Sequence, residues 1–413
     1  MKTTFSNLYK KKLAFQNKRY AKLAENFVII FGNEKFRFFC TPGRTELSGN
    51  HTDHNHGKVI AASINLDSIA CVAKADFLVE IYSEEYNEPF RVNLENLNPI
   101  KTESATTNAL IRGISSRFVE KGFCIGGFKA CLTSDVLQGS GLSSSASVEV
   151  LIGTIFNHLY NNGNIPIVEI AKIGQYAENV YFKKPCGLMD QLACAAGGII
   201  SIDFGNIDNP KINKINFNFA NQDYSLVFVH TGGSHINLTD DYAAIPKEMK
   251  EIATALDKQY CADTDYKAFF DNIIKMRNKI GDRAILRGYH FFKENERVKN
   301  QIEALSKNDF KKFLLLVNES GNSSFKYLQN IYSSNDVNYQ PLSIALAFTE
   351  EFIKNIGEGA CRVHGGGFEG TIQAFLPISS VNEFKKYIQN ISDSFKIIDL
   401  SIRQIGTTEV IFS

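Results

Sequence analysis

The chain lacks paired cysteines. Its eight, Cys40, Cys71, Cys124, Cys131, Cys186, Cys194, Cys261 and Cys361, are scattered with no C-x-x-C spacing. That argues against a zinc site and a disulfide scaffold, and for reduced thiols in a cytoplasmic setting. It also lacks a charge excess. Lys and Arg number 45 against 44 Asp and Glu, a net charge of +1, so no electrostatic footprint points to nucleic acid or to an anionic membrane surface. No uninterrupted apolar run approaches the length of a membrane span. The opening MKTTFSNLYKKKLAFQNKRY is basic and helix-like without an apolar core, so no signal peptide is expected. Repeats and low-complexity linkers are absent, and nothing in the sequence points to an obligate protein partner. What remains is an ordinary globular composition, 44% hydrophobic and 22% charged, over 413 residues, a length comfortable for two domains.

Short β-rich runs dominate the beginning: FVIIFG (27–32), FRFFC (36–40), KVIAASI (58–64), SIACVAKA (68–75) and LVEIYS (78–83). Their Val, Ile and Phe content and turn-like separators predict strands. Helical spacing appears at 104–122, after the turn at 139–147, and at 167–182, with a further strand in GGFKACLTS. Long amphipathic segments rich in Lys, Glu and Asn run from about 238 to 355, before strand and helix patterns return. Turn residues and low apolar content around 205–225 divide the chain into parts 1–220 and 221–413.

Three glycine-containing clusters stand out. The first, CTPGRTELSGNHTDHNHG (40–57), packs Arg44, Glu46, Asn50, His51, Asp53, His54 and His56 between glycines directly after an apolar run. A surface turn does not need so many hydrogen-bonding side chains; a pocket for a polyhydroxylated small molecule does. His54 and His56 read as hydrogen-bonding or solvent-facing, not as metal ligands. The second cluster comprises Gly139, Ser140, Gly141, Leu142, Ser143, Ser144, Ser145, Ala146 and Ser147, between a strand and a helix. Glycines that let a ligand approach the backbone, small hydroxyl donors and a helix N-terminus together make an anion site suited to phosphates. No Lys follows, so it is not a Walker loop, and a serine-capped helix after a tight turn is the alternative. The third, HGGGFEG (364–370), joins two strand-like runs with more glycine than a β-turn needs. It is either a glycine hairpin or a backbone that passes close to a nucleotide. Asp190 lies among apolar and small neighbours in KKPCGLMDQLACAAGG. It must be paired or hydrogen-bonded, or its pKa rises; Arg44 is a candidate partner, and capping of a helix starting at Gln191 is the alternative. Glu178, on YAENVYF, is either a surface residue or a metal ligand facing the serine turn.

Taken in order, GRTELSGNHTDHNHG, GLSSSAS, CGLMDQ and GGGFEG resemble the motifs of the galactokinase branch of the GHMP sugar and metabolite kinases, over residues 43–370. The resemblance implies an α+β, two-lobed fold, with an N-terminal lobe like domain 2 of ribosomal protein S5 and a ferredoxin-like C-terminal lobe. It implies ATP between them with its phosphates on the serine loop, and a sugar acceptor phosphorylated at its anomeric hydroxyl. Asp190 then faces that hydroxyl, and Arg44 faces Asp190 and the phosphoryl group in transfer. His51, Asp53, Gly187 and Tyr242 fall at sugar-contact positions, with Asn50 and Glu46 in the same motif. Ser145 and Glu178 fall at Mg²⁺ positions. The chain departs from the pattern in carrying Asn50 where Glu is usual and Glu46 where Asn is usual. Removing a negative charge near the sugar's 6-position implies tolerance of a changed 6-substituent, including the carboxylate of galacturonate, unless Glu46 restores that charge. Tyr242 is followed by AAIPKEM instead of a basic pair, and Glu369 interrupts the last glycine cluster. A catalytically dead sugar sensor is expected to have a damaged phosphate loop or Asp; GLSSSAS and Asp190 are intact. A dinucleotide-binding oxidoreductase fails for want of G-x-G-x-x-G spacing.

Overall fold

A computed structural model describes residues 2–9, 13–137, 141–232, 238–368 and 370–412. Gly139, Ser140 and Glu369, singled out above, lie outside these. Among the described residues the strands are β1 (Lys2–Thr4), β2 (Arg37–Ser48), β3 (Lys58–Lys74), β4 (Leu78–Ser83), β5 (Phe90–Asn93), β6 (Phe128–Ser134), β7 (Ile199–Asp203), β8 (Lys211–Ile215), β9 (Tyr224–His230), β10 (Ala360–His364), β11 (Thr371–Pro377), β12 (Lys396–Leu400) and β13 (Thr408–Ile411). The first sheet runs β1-β13-β2-β3-β6-β4-β5, with β7 on β3 and β8 on β7. The second runs β10-β11-β9-β12, antiparallel throughout. With helices between β9 and β10 and the helix Val381–Gln389 between β11 and β12, it has the β-α-β-β-α-β order of a ferredoxin-like unit. The change of sheet falls between β8 and β9, but β13 returns from the chain's end to pair with β2 in the first sheet.

Strand alternation sets where the cores lie. Along β3, Val59, Ala61, Ala70 and Val72 face a core shared with the helices Thr107–Glu120, Ser144–Tyr160, Ile167–Tyr176 and Met189–Ala196. Ile60, Ala62 and Ile64 point the other way, into a core shared with Leu226 and Phe228 of β9 and Phe313 and Val317 of the helix Phe310–Ser323. The period of two thus splits the strand between cores: the second core joins the lobes, and Ile69, Cys71 and Ala73 of the same strand enter a third with Tyr20, Leu23 and Phe27.

Two expectations are corrected, and the strand expected at FRFFC is longer than its apolar run. FVIIFG is not a strand but the end of the helix Leu13–Phe31. Gln16, Tyr20, Leu23 and Phe27 are its buried face, spaced four, three and four apart, while Val28, Ile29 and Ile30 are exposed. Helical burial overrides local β-propensity there. KVIAASI and SIACVAKA are one strand, β3, because the intervening Asp67 is buried and paired with Arg19 and Arg403. The first half of the polar 40–57 stretch is the end of β2, kinked between Pro42 and Arg44 and again between Glu46 and Ser48. Gly49 follows with φ 96°, its α-carbon pressed against the backbone of Lys58 and Val59, where no side chain fits.

Candidate active site

The kinked end of β2 directs Arg44 across to the helix Met189–Ala196. Arg44 donates from Nε and Nη2 to the two carboxylate oxygens of Asp190, at 2.7 and 2.6 Å, and from Nη1 to the Gly141 carbonyl at 2.5 Å. This is a bidentate fork. Asp190 sits in the first turn of its helix, which begins at Met189, and its side chain is taken by Arg44 and by the Ser143 hydroxyl. The capping alternative is therefore set aside. Burial by itself would raise the Asp190 carboxyl. The charge and hydrogen bonds of Arg44, with the Ser143 hydroxyl, outweigh it and hold the group below the usual carboxylate range.

Ser143 precedes the helix Ser144–Tyr160 in a left-handed conformation, φ 60° and ψ 58°, and makes no side-chain cap. Its hydroxyl goes to Asp190 instead, so the serine-cap alternative also falls. Leu142 anchors the turn: its side chain is buried in the interlobe core and its carbonyl accepts from the Arg44 amide at 3.2 Å. Ala146 and Ser147 are buried beneath, Ser147 donating to the Thr41 carbonyl at 3.0 Å. Ser144 and Ser145 line the cavity above. Ser145 donates to Glu178 Oε1 at 3.3 Å. Glu178 is 3% exposed, not a surface residue, because the π-helical segment Ala177–Phe182 turns it inward. Lys184 reaches the same oxygen at 3.3 Å.

These groups line a cavity of about 500 Å³, within the usual range for a small-molecule site. Arg44, Asp190, Gly141, Ser143 and Glu178 supply part of its polar lining, and Ile81, Tyr86, Phe90, Leu110, Leu132 and Phe182 its apolar lining. The apolar lining carries no mark in the sequence, because its residues come singly from β4, β5, β6 and neighbouring segments.

The remaining motif residues gather around the third glycine cluster. His51 Nε2 meets the Gly366 carbonyl at 3.0 Å, so that nitrogen carries the proton. Burial, then the neighbouring His54, push the His51 imidazole down to about 4, leaving it neutral. Tyr242 donates to the Gly367 carbonyl at 2.9 Å and lays its ring on Gly366. Gly367, φ 86°, abuts the Asn330 carbonyl so closely that a side chain there would collide. Gly187 likewise faces the Asp53 carboxylate with no room for a β-carbon. His51, Asp53, Gly187 and Tyr242 do not line the 500 Å³ cavity. His56 stacks on Tyr260, ring centroids 3.6 Å apart.

Asn50 and Glu46 occupy a different environment from the one expected. Asn50 is fully buried. Its amide donates to Glu46 Oε1 at 3.2 Å and the Gly365 carbonyl at 2.6 Å, and its oxygen accepts from Ser324 at 3.3 Å and Asn330 at 2.9 Å. That accounts for both N–H groups and both lone pairs of the amide oxygen. Glu46 is paired with the buried Arg362 at 2.8 Å. The negative charge absent at Asn50 thus sits next door and is neutralised across the two sheets.

Known proteins share this chain's fold and much of its length. Residues 108–198 match the family described as GHMP kinases N terminal domain, and residues 25–74 match the galactokinase galactose-binding signature. The galactokinase of Clostridium tetani is 30% identical over 91% of this chain and 92% of its own length. That of Pyrococcus furiosus is 29% identical over 81% of this chain and 88% of its own. Among solved structures, galactokinase of Lactococcus lactis complexed with galactose superposes with a TM-score of 0.82 at 25% identity, over 95% of this chain and all of that one. The mevalonate kinase of Methanococcus jannaschii shares the fold, with a TM-score of 0.62 at 17% identity over 90% of this chain and 99% of its own. With kinked β2, the serine turn and the Asp190 helix converging on one cleft in the two-lobed α+β fold of these enzymes, the chain belongs to the galactokinase family of GHMP kinases.

Proposed function

We propose that this chain transfers the terminal phosphoryl group of ATP to the anomeric hydroxyl of galactose, giving galactose 1-phosphate and ADP. The observation that carries this reading is the Arg44–Asp190–Ser143 cluster, set beside the serine turn in a cavity that also has apolar lining. A nucleotide needs both kinds of surface, polar for its polyphosphate and apolar for its flat base.

Phosphoryl transfer is mostly a matter of position and charge. Asp190 is held ionised and accepts the proton of the attacking hydroxyl, or orients that hydroxyl until transfer is advanced. Arg44 counters charge on the transferring group's oxygens while fixing Asp190. The serine turn and the start of the helix Ser144–Tyr160 receive the phosphates on backbone N–H groups and hydroxyls. His51, Asp53, Gly187 and Tyr242 hold the sugar, while Asn50 and Glu46 brace the segment from behind.

Mg²⁺ fits beside the turn. Ser145 and Glu178 are hard oxygen donors already in contact, and the buried Glu149 Oε1 near them has no protein partner. Among the described residues no cluster of three or more acidic, histidine or cysteine ligands forms a closed cage. That suits an ion held by one or two protein groups, water and phosphates. When bound, the cation neutralises developing phosphate charge.

The test is ADP release with ATP across galactose, galacturonate, arabinose and N-acetylgalactosamine, with the phosphorylated carbon identified by NMR. We expect galactose-dependent ADP release, a product phosphorylated at C1, and a loss of about 10³-fold in kcat for Asp190→Asn. ADP release with none of the sugars, or equal turnover by Asp190→Asn, would overturn the proposal.

A further inference from the structure

The helix Ser144–Tyr160 presents Ser145 and, four residues on, Glu149, on one face. Glu149 is an acid between Val148 and Val150, with no exposed surface, and Gln191, beside Asp190, is equally buried. The Gln191 amide donates to Glu149 Oε2 at 2.9 Å and to Glu178 Oε2 at 3.1 Å, bridging the two carboxylates. The flipped amide would set an oxygen against both acids, so the network itself decides the orientation. Two acceptors in this cluster, Glu149 Oε1 and Gln191 Oε1, are buried without a partner. A buried acceptor left without a partner is costly unless something completes it. Gly174 makes room for the pair: a β-carbon there would lie 3.2 Å from Glu149 Cβ and 3.4 Å from Gln191 Cγ.

We propose that Glu149 and Gln191 are positioning residues for the magnesium site. The amide clamps one oxygen of Glu178 so that the other faces Ser145, and the two unpartnered oxygens accept hydrogen bonds from water in the cation's hydration shell. This inference rests on the Mg·ATP reading above. Mg²⁺ keeps several of its waters when bound, and those waters are donors that need fixed acceptors.

Calorimetry of ADP binding with and without Mg²⁺ on the full chain tests it, using Glu149→Gln, Gln191→Leu and Gly174→Ala, with Glu178→Ala as the reference. Gly174→Ala alters neither side chain and presses on both, so it serves if a direct substitution fails to fold. We expect Glu149→Gln and Gln191→Leu to reduce the affinity gained from Mg²⁺ about 10-fold or more, and Gly174→Ala to reduce it less. Metal-free ADP affinity and galactose KM should stay within about twofold, a split that general loss of structure would not give. If Glu178→Ala loses the Mg²⁺ gain while the positioning variants keep it, this inference alone falls. If Glu178→Ala also keeps it, the metal reading of the site falls and takes this inference with it.

Discussion

Arg44 meets Asp190 through two near-parallel hydrogen bonds, and that fork sets the cost of removing the guanidinium. In the native site burial raises the Asp190 carboxyl, and Arg44 first, then the Ser143 hydroxyl and Lys184, together lower it by more. Arg44→Met removes the main counterweight to burial, so the carboxyl rises. A group that must be ionised to accept a proton loses activity as pH falls through its folded pKa. The acid limb of the kcat profile therefore moves to higher pH in Arg44→Met, and kcat at its plateau drops about 10²-fold from lost charge stabilisation. Arg44→Lys keeps the charge but not the fork, and its limb should fall between the two. Steady-state kinetics from pH 4 to 9 would show this; an unmoved limb in Arg44→Met would mean that Arg44 does not set the ionisation of Asp190.

At the scale of elements, Asp67 on β3 ties together three parts of the chain that are remote in sequence. It accepts from Arg19 at 2.8 Å, Arg403 at 2.6 Å, Tyr9 at 2.5 Å and the Cys40 thiol at 3.2 Å, with no exposed surface. Arg19 also pairs with Asp135, just before the serine turn, at 2.9 Å. Asp67→Asn leaves two buried guanidinium groups without their shared carboxylate. It should destabilise the fold by about 3–5 kcal/mol, read from the urea midpoint; a loss under about 1 kcal/mol would show that the cluster is dispensable. The same residue explains where sequence reading succeeded and where it stopped. Apolar periodicity located β4, β6 and the helices beside the site, and contiguous motifs placed Arg44, Asp190, Ser145 and Glu178 within one cleft. It misjudged FVIIFG because β-branched residues on the solvent face of a helix carry no mark of that face. It split β3 because an acid inside a strand reads as a break until its partners, 48 and 336 residues away, are known. Asn50 and Glu46 were assigned to the sugar because Arg362 and Asn330, which occupy them, lie in the other lobe. Glu149 did carry a usable signal, an acid inside an apolar helix, the same signal that singled out Asp190.

For the whole molecule, the question is what holds the two lobes in register around the first glycine cluster. The helix Asp282–Ser306 belongs to the second lobe, yet its Glu294 accepts from the Ser48 hydroxyl at 3.2 Å and the Gly49 amide at 3.1 Å, at the end of β2. One turn earlier, His290 bonds the Asn50 carbonyl at 2.9 Å. Glu294 is fully buried. Burial opposes its charge, but Arg297 first, then His290 and Arg362, with the Ser320 hydroxyl, hold its carboxyl at about 2 against an ordinary 4.5. The folded value lies below the unfolded one, so the stabilisation is complete above pH 4.5 and is lost as pH falls toward 2. A depression of that size corresponds to about 3 kcal/mol. Other depressed carboxylates titrate in the same window, so the comparison must be with Glu294→Gln, which lacks this one proton site. Urea unfolding at pH 5, 4 and 3 should show a stability loss smaller by about 1–2 kcal/mol in the variant than in the native chain over that span, since pH 3 still lies above the folded value. Equal slopes would mean that the lobe contact is not carried by the charge on Glu294. The structure argues otherwise, because that charge is the acceptor for a backbone amide and a hydroxyl of the opposite lobe, and for Ser320 on a neighbouring helix at 2.6 Å; protonation weakens all three at once.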